Sequence, residues 1–290
     1  MKQFITFTVA LVITLTTVCV AQNKQHAAAP NSLLWEITGN GLVQPSYLLG
    51  TFHMMCASDY KMNPKVLQAI NKVQKLVTEI DYLNPEEGLA MQKMMMADKK
   101  LSEQLSQAEA IDLEEVLKTY GTSLAEIDNY SPQALFSLLG RKAIPCAPAE
   151  VVAYEAELIT AALKSGKKTG GLETVNEQSD FLARSYHLKE AIRQLKAGDT
   201  YAILSKEMIK AFNEENLTVL DQLVKDKRFM NAEQRKWMLS VRNENWVKMM
   251  PGMMQKESIL FAVGSGHLWE ADGVIQLLQA QGYTVKPVLQ

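Results

Sequence analysis

The sequence predicts a mixed α/β fold, in which a central sheet built from N-terminal and C-terminal strands carries a large helical insertion. Three observations predict it. Short apolar, β-prone runs open the chain at Leu33 to Thr38, Tyr47 to Thr51 and Leu76 to Ile80; helical periodicity dominates the middle; and strand character returns at Ile259 to Val263 and Tyr283 to Val288. A chain of 290 residues with 47% hydrophobic and 21% charged residues has material for a sizeable core.

Before the first strand, Lys2 precedes an uncharged run from Phe4 to Val20 that ends in Cys19-Val20-Ala21. This reads as a secretory signal peptide over 1–21, followed by a loose lead-in over 22–31 and one domain over 32–290. The expected location is therefore secreted or periplasmic, with no membrane span left after cleavage; an uncleaved anchor is the competing reading. Two cysteines, Cys56 and Cys146, remain in the mature chain. An oxidising compartment permits one disulfide between them, and two separate buried thiols is an equal alternative.

Gly39-Asn40-Gly41 between the first two runs is turn material and predicts a hairpin. Asn63-Pro64 is a cap and first helical residue, and Val66, Ile70 and Val73 continue at helical spacing. The third run, Leu76 to Ile80, follows as a strand. Helices are expected over Leu105 to Tyr120, from Ser131-Pro132 onward, and over Val151 to Lys164, with a short strand at Thr169 to Leu172. Thr174 and Glu177 form a capping box for a helix to about Arg184. Further helices follow over Tyr201 to Asn213, Leu217 to Lys225 and Ala232 to Met249, and the chain closes as a βαβ unit around Ala271 to Gln281.

The formal net charge is −2, so no electrostatic argument favours nucleic acid. Chemistry concentrates instead at strand ends. His53, Glu79, Glu173 and His267 all fall at or near the carboxyl ends of predicted strands, the edge where open α/β sheets bind ligands. Glu79 is expected inside its strand, on one face with Asp81. Gly50-Thr51-Phe52-His53 and Gly264-Ser265-Gly266-His267 repeat one pattern, glycine three residues before histidine. The reading requires these two histidines to share a cavity although more than two hundred residues separate them. His26 and His187 lack such surroundings.

These segments, with Leu34-Trp35-Glu36-Ile37, Glu79-Ile80-Asp81, Gly171-Leu172-Glu173-Thr174 and Arg242-Asn243, closely resemble the TraB/GumN proteins over nearly the whole mature chain. The resemblance extends to the Tiki metalloproteases and, more distantly, to erythromycin-esterase-like and ChaN-like folds. It implies that His53 and His267 are the signature histidines and Glu79 the signature glutamate, with Glu173 and Arg242 further pocket residues.

The leading expectation is metal-assisted hydrolysis. His53, Glu79 and His267 would hold a divalent ion (zinc, manganese or cobalt), Glu173 or Glu79 would take a proton, and Arg242 would steady developing negative charge. A peptide or amide is the substrate the resemblance implies. Metal-free, esterase-like hydrolysis with a histidine base is the alternative. A third reading is a non-catalytic binder of metal, haem or peptide, suggested by Met91, Met94, Met95 and Met96 with Met249, Met250, Met253 and Met254.

Overall fold

The computed structural model describes residues 30–289, so the expected signal peptide, most of the expected lead-in, Cys19 and His26 lie outside the described residues. Strands β1 (Leu34–Gly39) and β2 (Ser46–Thr51) pair antiparallel across a turn whose Gly39, Asn40 and Gly41 all have positive φ. A short strand β3 (Met54–Cys56) follows, then β4 (Lys75–Thr78). The remaining strands are β5 (Val151–Ala153), β6 (Ile259–Gly264) and β7 (Tyr283–Pro287).

The main sheet has the order β4-β6-β2-β1-β7, and a second, two-stranded sheet joins β3 to β5. β6 runs parallel to both β2 and β4. Their carboxyl ends therefore lie on one edge, Thr51 opposite Gly264 and Thr78 opposite Ala262. β2 is buried along its whole length and β6 up to its last residue, as expected of parallel strands covered on both faces. The helical insertion lies between β4 and β6, as the sequence predicts.

Local signals placed several helices well. Asn63 caps Pro64–Lys72 by accepting from Lys65 N, and the Thr174–Glu177 capping box opens Val175–Ser185. Four expectations are corrected. β4 ends at Thr78, so Glu79 leaves the strand and shares no strand face with Asp81. Val151 to Ala153 is not helical but pairs with β3, and the helix runs Tyr154–Lys164. Thr169 to Leu172 contributes only an isolated bridge, Gly171 to Thr78, rather than a strand. The helix expected over Ala232 to Met249 is divided into Ala232–Arg235, a π segment Lys236–Ser240 and Val241–Met254. In addition β6 and β7 are not neighbours, since β2 and β1 lie between them.

The packing separates into two hydrophobic clusters. One joins the main sheet to its flanking helices; the other is wholly helical, around Leu113, Leu117, Leu135, Leu138 and Leu195. Tyr201 of the second stacks on Phe229 beside the first, ring centres 4.8 Å apart. Cys56 and Cys146 form a disulfide, which tethers β3 to the segment following the helix Phe136–Ala143. Among the described residues no helix is long and apolar enough to cross a membrane.

Candidate functional site

The edge where β2, β4 and β6 end brings His53, Glu79, Glu173, Arg242 and His267 together. Gly50 makes this convergence sterically feasible: a Cβ there would lie 2.7 Å from Leu268 Cδ1 and 3.2 Å from Ser265 Cα, so a side chain would push the two Gly-x-x-His segments apart. Gly264 leaves a hollow at the centre. A Cβ on it would sit 3.3 Å from Glu79 Oε1, 3.5 Å from His53 Nε2 and 3.6 Å from His267 Cδ2. The two imidazoles thus approach within about 7 Å across one hollow.

Arg242 organises the buried half. Its Nε donates to Glu173 Oε1 at 3.0 Å; one terminal nitrogen donates to Glu79 Oε2 at 2.6 Å and Glu173 Oε1 at 2.5 Å; the other donates to Met238 O at 2.9 Å and faces His267 Nε2 at 3.2 Å. All five guanidinium N–H groups are occupied. In this arrangement Arg242 has no N–H left over for the developing negative charge that the sequence reading assigned to it: the side chain is spent on its neighbours. The π segment supplies Met238, which sequence periodicity did not reveal.

Glu173 also accepts from Trp246 Nε1 at 3.1 Å and Gln178 Nε2 at 2.9 Å, and burial raises its pKa against the pull of Arg242. Burial also opposes the charge of Glu79, yet Arg242, the two histidines and the Gly264 N–H at 2.8 Å hold its carboxyl far below the usual carboxylate range. Glu79 is thus an anion with one oxygen on the hollow.

The two histidines differ. Asn243 donates its amide to Asp272 O at 2.8 Å, which turns Oδ1 toward His267 Nδ1 at 2.6 Å. Nδ1 therefore carries the ring proton and Nε2 accepts from Arg242. Burial, followed by the Arg242 charge, lowers the His267 pKa to about 3, so this ring stays neutral. His53 instead is 58% exposed, and its Nδ1 lies 2.9 Å from Glu155 Oε1. The Glu155 carboxylate raises the His53 pKa to about 9.

Glu155 is the site residue that sequence reasoning missed. Tyr154 N donates to His53 O at 3.0 Å, so β3-β5 pairing delivers the next residue to the imidazole; Thr51 Oγ1 adds a hydrogen bond of 2.6 Å. In sequence it is an acidic residue in a helix's first turn, where the helix dipole alone explains it.

A divalent ion needs a free lone pair from each ligand. His53 Nε2 and Glu79 Oε1 face the hollow, and His267 Nε2 lies 3.8 Å from Glu79 Oε1, but that nitrogen's lone pair is taken by Arg242, which also places a fixed cation against Glu79. His53, Glu79 and His267 do not fit a divalent ion in this arrangement. Among the described residues no group of three or more His, Cys, Asp or Glu side chains is placed to hold one.

Above the hollow opens a cavity of about 390 Å³ between the two hydrophobic clusters, walled by the helix Phe136–Ala143 and floored by His53, Arg242 and Gly264 to His267. A larger hollow of about 810 Å³ surrounds Lys65, whose three N–H groups are already taken by Ser32, Glu215 and Val288. Lys65 therefore acts as a structural pin. The TraB/PrgY/gumN family model matches residues 33–287, which include every residue of the candidate site. No curated protein and no solved structure matches the chain.

Proposed function

Because the chain belongs to the TraB/PrgY/gumN family, we propose that it is an exported hydrolase of a carboxylic ester or amide, working by acid–base chemistry with His53 as the proton carrier. The observation that carries this reading is the Glu155–His53 pair at 2.9 Å, with His53 Nε2 on the same hollow as Glu79 Oε1. A carboxylate on one imidazole nitrogen fixes the tautomer and leaves the other nitrogen to exchange a proton.

The remaining groups have supporting roles. Glu79, permanently charged, orients a water in the hollow. His267 neither gains nor loses a proton near neutrality; it holds Arg242, which in turn keeps Glu79 and Glu173 in place. Export is supported by the uncharged N-terminal run and by the Cys56–Cys146 disulfide, which suits an oxidising compartment.

The test is hydrolysis of a panel of p-nitrophenyl esters and chromogenic peptide amides by the mature protein, before and after exhaustive chelation. We expect activity that survives chelation and falls at least about a hundredfold in His53→Ala. Absence of any hydrolysis, or full activity in His53→Ala, overturns the proposal. Loss on chelation with recovery on adding zinc, manganese or cobalt replaces it with the metal-assisted mechanism.

A further inference from the structure

The cavity over His53 has walls that the hydrolytic groups do not explain. Its lining contains no Asp, Glu or Lys among the described residues; charge is confined to the floor, and the polar groups higher up are neutral hydroxyls such as those of Tyr186, Tyr201 and Ser205. Four methionines, Met54, Met208, Met230 and Met238, share the walls. Methionine is unbranched and adaptable, so such a wall follows a flexible guest.

We infer that this cavity takes the hydrocarbon chain of a fatty-acyl ester or amide, the carbonyl resting over Gly264 beside His53. The inference rests on the hydrolase reading for its chemistry and on the cavity for its ligand class. A peptide main chain drawn in would bring an N–H and a C=O with every residue, and walls this poor in partners would leave them unpaired. A hydrocarbon chain brings none. About 390 Å³ equals roughly a dozen groups of water size, which suits a chain of roughly eight to twelve carbons.

In the reaction, the oxygen of water bonds to the acyl carbon while its proton passes to His53 Nε2. The bond from the acyl carbon to the alcohol oxygen then breaks; that oxygen keeps the electron pair and receives the proton from His53. A fatty acid and an alcohol leave, and no oxidant or reductant is involved.

The experiment compares p-nitrophenyl acetate, butyrate, octanoate and dodecanoate as substrates, and titrates decanoate into His53→Ala by calorimetry. Gly140 lines the wall, and a Cβ there meets nothing within 4 Å, so Gly140→Leu shortens the cavity without a clash at the first added atom. We expect kcat/KM to rise up to about fourfold per methylene as far as octanoate, the octanoate-to-acetate ratio to fall at least tenfold in Gly140→Leu, and decanoate to bind His53→Ala with one-to-one stoichiometry. A flat chain-length profile in an active enzyme overturns the acyl assignment and leaves the hydrolase reading standing. Saturable decanoate binding without hydrolysis of any ester does the reverse. No saturable decanoate binding overturns the assignment outright.

Discussion

Arg242 donates to His267 Nε2 at 3.2 Å while its other terminal nitrogen holds Glu79 at 2.6 Å, so one buried cation commits two of the three signature groups at once. The matched histidines of the two Gly-x-x-His segments are thereby made unequal, one locked and one free to exchange protons.

Removing that cation should be costly. Arg242→Met leaves Glu79 and Glu173 buried without a counter-charge, and we expect about 3–5 kcal/mol of lost stability, read as a lower urea midpoint with the slope unchanged. A change under about 1 kcal/mol would mean that the two carboxylates are solvated or protonated in the native protein.

The pH dependence follows from Glu155. Its charge raises the His53 pKa to about 9, so the neutral, proton-accepting form grows as pH rises and the rate should climb to a plateau above about pH 9. In Glu155→Gln the inflection should fall toward about 6.5, the ordinary imidazole value. Stability runs the opposite way: a raised folded pKa makes the ion pair's contribution complete below about 6.5 and lost as pH rises through about 9. An inflection unmoved by Glu155→Gln removes His53 from proton transfer.

Gly264→Ala is the sharpest probe of the hollow. The glycine has φ −50°, which alanine tolerates, and the added methyl is tight only against Glu79 Oε1 at 3.3 Å, which must give by a few tenths of an ångström. Folding should persist with a melting temperature within a few degrees, while activity falls at least about a hundredfold because water loses its place. Retained activity would put the reacting water elsewhere.

The disulfide should matter for stability. Cys56 and Cys146 are 90 residues apart, a loop whose closure is worth about 4–5 kcal/mol in the chain-entropy account. Cys56→Ser with Cys146→Ser should therefore lower the denaturant midpoint markedly, and reductant should do the same to the wild type alone. Equal midpoints with and without reductant would count against a formed bridge in solution.

Much of the architecture was legible because its causes are local. Alternation, apolar runs, Asn63-Pro64 and the Thr174–Glu177 box each act within a few residues, and they located β1, β2, β6, β7 and the helices they open. The errors arose where pairing overrides local preference. Val151 to Ala153 runs straight into the helix Tyr154–Lys164 and was expected to belong to it, but β3 recruits it as a strand; Glu79 looks like a strand residue, but β4 ends one residue earlier and turns it toward Gly264.

The sequence by itself determined part of the site's inventory: period and turn chemistry put two histidines behind glycines and Glu79 just past a strand end, while Glu173, ahead of a capped helix, and the helical Arg242 were singled out with the help of the family resemblance. Tertiary structure alone decided what each can do. Which imidazole nitrogen keeps a free lone pair, whether Arg242 has an N–H to spare, and that Glu155 stands behind His53 depend on atoms from segments up to 163 residues apart meeting within hydrogen-bond distance. A hydrogen bond is decided over tenths of an ångström, far finer than the one-residue steps in which a sequence pattern is written.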